Sequence, residues 1–184
     1  MFATLLTGMP AWNHVHPLVV HFPIALLMIA PLFVLGGLVL GSEKGRPYLL
    51  AGFLLMLAGT CGTFLAAASG DAAGEAATKT PAIAKVLEQH EEMADTTQIV
   101  FSVLTAVFAA VLFLPRLLQK ESPAAFARLV PAVLLCVYLG GLGALVNTAH
   151  NGGRLVHELG IHGRPAAPPA TSEASTGELH GDRD

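Results

Sequence analysis

Four stretches of the chain carry no Asp, Glu, Lys or Arg: residues 18–41, 47–70, 96–115 and 129–149. A helix rising about 1.5 Å per residue needs about 20 apolar residues to cross a hydrocarbon core. Each stretch meets that length and ends at a helix breaker or charge. The breaks are Gly41 before Ser42-Glu43-Lys44-Gly45-Arg46, Gly70-Asp71, Pro115-Arg116 and Asn151-Gly152-Gly153. In lipid a segment must satisfy its own backbone groups, so each run is expected to be a helix. The pattern predicts an all-α integral membrane protein, a four-helix up-down-up-down bundle over residues 1–162. Thr80-Pro81 is an N-cap followed by proline at the first helical position, so an extended outer helix should start there and run into the third span. Residues 163–184, rich in Pro, Ser, Thr, Glu and Gly, lack the apolar content to order themselves and are expected to form a disordered C-terminal tail.

Composition agrees with lipid as the main solvent. The 184 residues are 53 % hydrophobic and 12 % charged, against about a quarter charged in soluble domains. A net charge of −3 offers no basic field for phosphates, which excludes nucleic acid as a partner. Cys61 and Cys136 have no paired spacing, which excludes a disulfide framework, a zinc ribbon and covalent c-type haem. Met1 to Trp12 has no basic region ahead of a long apolar run, so the first span is not a cleaved signal. The turn around Lys44 and Arg46 and the turn holding Arg116, Lys120 and Arg128 are short and net positive. By the positive-inside rule they face the cytoplasm of a bacterial inner membrane, with both termini outside.

Eight histidines stand out among so few polar residues. The up-down topology puts all of them on the outer side. On the helix from Pro81, positions Ile83, Val86, Leu87, His90, Ala94, Thr97 and Phe101 share one face, with Glu88, Glu91, Glu92 and Asp95 opposite, so His90 should point into the bundle. The same test aligns His21 with Leu18, Ala25 and Met28, and His150 with Leu139, Gly143, Val146 and Asn147. Ionisable side chains at membrane depth are treated as functional by default, so His21, His90 and His150 form the candidate site. His16, with Pro17 behind it, is expected at the helix start and as a subsidiary metal ligand. His14 and His157 are expected at the surface, and His162 and His180 in or near the tail. Gly59, Gly62, Thr63, Ala66 and Ser69 form a stripe that would let helices approach closely or leave a slot for a flat ligand.

The string His16-Pro-Leu-Val-Val-His21-Phe-Pro-Ile-Ala-Leu, with His150-Asn-Gly-Gly-Arg154-Leu-Val and Gly160, resembles the bacterial membrane-protein family known as domain of unknown function 2231. The likeness covers about residues 12 to 162. It implies a four-span protein with histidines at these positions; some members are linked to redox domains, which leans the reading toward electron transfer. His157 stands where the resemblance leads one to expect a tyrosine.

Three functions compete. In the first, haem b lies between helices near the periplasmic face, held by two of His21, His90 and His150, with Arg154 beside a propionate. The favoured pair is His21 with His90, and electrons pass to or from a quinone or a periplasmic redox protein. The inner half of the bundle has no histidine, so a ladder of haems across the membrane is excluded. In the second, His21, His90 and His150 bind zinc, copper or iron directly. No His-Glu-x-x-His spacing or other hydrolase motif is present. In the third, the chain is a non-enzymatic structural subunit. Gly37-x-x-x-Gly41 would suit close helix contact, within the chain or in an oligomer.

Overall fold

The computed structural model describes residues 12–77, 79–119 and 124–161. Its helices are α1 (Trp12–Val19), α2 (His21–Leu40), α3 (Ser42–Ala76), α4 (Pro81–Leu117) and α5 (Ala124–His157). Among the described residues four spans are long and apolar enough to cross a membrane, at His14–Leu40, Glu43–Ala76, Pro81–Leu117 and Leu129–His157. The tail expected after residue 162, with His162 and His180, lies outside the described residues.

α1 and α2 are one interrupted rod. Pro17 and Pro23 each lack an N–H, and the Pro23 ring crowds the carbonyl of Val19. The regular ladder therefore breaks at Val20, which keeps helical torsions (φ −61°, ψ −28°). Val20 N–H still donates to His16 O at 3.1 Å, and Ile24 N–H to Val20 O at 3.3 Å. Between α2 and α3 the chain reverses at Gly41 alone, with φ 79°, a conformation open to glycine at little cost. Just past it the helices nearly touch: a Cβ on Gly45 would run into the Gly37 carbonyl. The contact at Gly37 is thus within the chain.

α2 packs along α3, α4 along α5, and the two hairpins close a ring through α3–α4 and α5–α2. The core is Leu27, Ala30, Val34, Met56, Phe101, Leu104, Phe108, Tyr138 and Leu145. A void of only about 10 Å³ remains among Val34, Met56, Leu104, Phe108 and Tyr138. Leu32, Val39, Leu65, Ile99 and Leu117 are exposed, as lipid-facing positions should be.

α4 begins as the sequence predicts. Ile83 N–H donates to Thr80 Oγ1 at 3.3 Å, and Pro81 takes the first turn. α5 does not stop at Asn151-Gly152-Gly153 but continues to His157. Leu155 packs there with Val86, Leu87, Leu159 and Ile161, and this burial outweighs the roughly 1 kcal/mol that each mid-helix glycine costs.

Candidate functional site

His21 and His150 do not point inward. Both are exposed, as are Leu18, Met28, Leu139 and Val146 of their stripes. The buried face of α2 is Pro23, Leu27, Ala30, Pro31, Val34 and Gly37. His21 donates through Nδ1 to the carbonyl of Pro17 in its own rod. Arg154 pairs with Glu158 at 3.2 Å, one turn along the same helix. The glycine stripe on α3 leaves no slot, because Leu27 packs over Gly59 and Pro23 over Gly62.

His16 takes the inward place instead. Its Nδ1 lies 2.9 Å from Ala66 O and 3.1 Å from Ser69 Oγ on α3. Ser69, fully buried, donates to the same Ala66 carbonyl at 3.0 Å. On the far side His90 Nδ1 lies 2.9 Å from Thr148 O on α5. Thr148 is itself held: its hydroxyl donates to Ala144 O at 3.0 Å, and Thr97 Oγ1 is 2.9 Å away. A carbonyl only accepts, so Nδ1 carries the proton in both rings and Nε2 keeps its lone pair.

The two rings stand 6.4 Å apart between centroids, at 84°. Phe101 and Tyr138 make a similar edge-on pair at 5.1 Å. The histidine rings are smaller and yet stand farther apart than that pair. The surroundings are kept small. A methyl group on Gly70 would stand 3.0 Å from His16 Cε1, and one on Gly152 would stand 3.0 Å from His90 Cε1.

His16 and His90 occupy equivalent places in two like hairpins. A shift of 74 positions, from residue 16 to residue 90, carries Pro23, Leu27, Ala30, Pro31 and Val34 onto Thr97, Phe101, Leu104, Thr105 and Phe108, and all ten are buried. A shift of 82, from residue 66 to residue 148, carries Gly59, Ser69 and Gly70 onto Gly141, Asn151 and Gly152. Sequence reasoning gave His16 only a subsidiary place because it took the helical phase from a rod that is apolar all round. The double shift was the signal that could have found it.

Among the described residues no three His, Cys, Asp or Glu side chains converge as a metal site. Cys61 and Cys136 are exposed and apart. A family model described as "Predicted membrane protein (DUF2231)" matches residues 13–165. No curated protein and no solved structure matches the chain.

Proposed function

Because the chain belongs to the DUF2231 family of predicted membrane proteins, whose description assigns no activity, we propose from the site itself that it is a b-type-cytochrome-like electron carrier. In this reading haem b is held by His16 and His90 near the periplasmic face of a bacterial inner membrane. Electrons then pass to or from an outer redox protein or a quinone.

The observation that carries the reading is the pair of imidazoles 6.4 Å apart, each anchored through Nδ1 to a backbone carbonyl. Two imidazoles at that separation would hold one metal between them, with metal–nitrogen bonds of about 2 Å. Anchoring one nitrogen fixes the tautomer and aims the other. Haem supplies reversible one-electron exchange when bound. The protein's part is to hold two neutral imidazoles and to keep Ala66, Gly70, Thr97, Thr148 and Gly152 small around them. Arg154 is engaged with Glu158, and its assignment to a propionate does not carry the proposal.

A bare metal ion on the same pair is the second reading. Among the described residues no third His, Cys, Asp or Glu joins the pair, which suits copper better than four-coordinate zinc. The test is a reduced-minus-oxidised spectrum of protein made with ample haem. His16→Ala and His90→Ala should each abolish the low-spin bands, while His21→Ala and His150→Ala should leave them. No uptake of haem, or unchanged bands in His16→Ala and His90→Ala, would overturn the cytochrome reading. Stoichiometric copper in colourless protein would install the second one.

A further inference from the structure

The two hairpins share a register but differ along one seam. Beside His90, an open groove of about 330 Å³ on α4 and α5 is lined by Gln89, Glu92, Met93, Asn147 and Asn151. The same shifts place its lining on Val15, Leu18, Val19, Leu65 and Ser69 in the first hairpin. Four of these five are apolar, so the fold does not require a polar seam there. Ser69 uses its hydroxyl on Ala66 and His16. Its counterpart Asn151 is only 8 % exposed and lines the groove.

We propose that this groove binds the head group of a membrane quinone. Val146, next to Asn147, and Ile99, about two turns along α4 from Glu92, are exposed and apolar, so an occupant dissolved in the bilayer can reach the groove. No Lys or Arg lines it, which disfavours anionic head groups. The carboxamides of Gln89, Asn147 and Asn151 offer N–H donors to ring carbonyls, and the Glu92 carboxylate accepts from the hydroxyls of the reduced ring. Met93, 3.5 Å from Asn147 Nδ2 through its sulfur, suits the face of an aromatic ring. The volume lies at the lower end of ligand pockets, as a single ring requires. Gln89 precedes His90, and Asn151 precedes the glycine that lies against it. Electron exchange between the groove and the histidine pair rests on the reading above; quinone binding does not.

Photolabelling of the full chain in detergent with a short-chain azidoquinone, followed by peptide mapping, tests the assignment. Label should concentrate in residues 85–96 and 145–153 and be displaced by decylubiquinone. Asn151→Leu should lower it by about tenfold or more. Gln89→Leu, on an exposed position that the fold does not need, should lower it as well. Glu92→Gln should weaken the reduced form more than the oxidised one. His90→Ala should keep the label while losing any haem bands, which separates failure of the groove from failure of the cytochrome reading. Label scattered along the chain, label unchanged in both Asn151→Leu and Gln89→Leu, or displacement by phosphatidylethanolamine but not by decylubiquinone would overturn the proposal.

Discussion

Gly70 and Gly152 each stand four residues after the carbonyl that a histidine uses, Ala66 and Thr148 respectively. On a helix the carbonyl of residue i points along the axis toward residue i+4, so a side chain at i+4 would bar a ring from reaching it. Glycine clears that approach. The neighbouring Gly153 has nothing within 4 Å of its missing Cβ, and the two therefore make a matched pair of tests. Gly153→Ala should raise stability by about 1 kcal/mol through helix propensity alone, read as a shift in the denaturation midpoint in detergent. Gly152→Ala should displace the His90 ring from Thr148. In ¹⁵N-histidine spectra the hydrogen-bonded Nδ1–H signal of His90 should disappear in Gly152→Ala and persist in Gly153→Ala.

Among the helices, α2 shows how one residue's defect is met by another element. Pro31 has no N–H to give the Leu27 carbonyl one turn earlier, and in lipid no water can take its place. Tyr138 on α5 donates to that carbonyl at 2.7 Å. Tyr138→Phe should lower stability by about 1–3 kcal/mol, measured by unfolding in mixed micelles. An unchanged midpoint would mean that the Leu27 carbonyl finds another partner. The same helix limits what sequence can say. α4 displays its phase because Glu88, Glu91, Glu92 and Asp95 mark the wet face, and the predicted buried positions Val86, Leu87, Thr97 and Phe101 are buried as read. α2 has no charged residue and its outer face is as apolar as its inner one. Nothing in composition separated the face of His21 from the face of Leu27; two prolines on the packed side decide it. In α5 the glycines read as a stop are accommodated by contacts more than sixty residues away in sequence, at Val86 and Leu87.

At the scale of the whole molecule the even number of spans puts the histidine pair, the groove and both ends of the described bundle on one side. The basic residues Lys44, Arg46 and Arg116 belong to the other end. Reporter fusions that become active only outside the cytoplasm should be active after residue 161 and silent at Gly45. The reverse pattern would move the site to the cytoplasmic face. The element order and the four spans were legible from the length and spacing of apolar runs. The site was half legible, because a pairing between distant hairpins leaves no trace in the periodicity of either one.

α3 spans 35 residues, about 52 Å at about 1.5 Å per residue, against a hydrocarbon core of about 30 Å. The turn at Gly41 ends the rod abruptly at one end, so most of the surplus lies at the other, the end that carries His16 and His90. A charge moved fully across a bilayer couples to the transmembrane voltage by about 2.3 kcal/mol per 100 mV. A charge gained or lost at this end traverses only a small part of that field. A change of charge at the histidine pair, by a proton or by any bound group, would therefore respond little to whether the cell is energised.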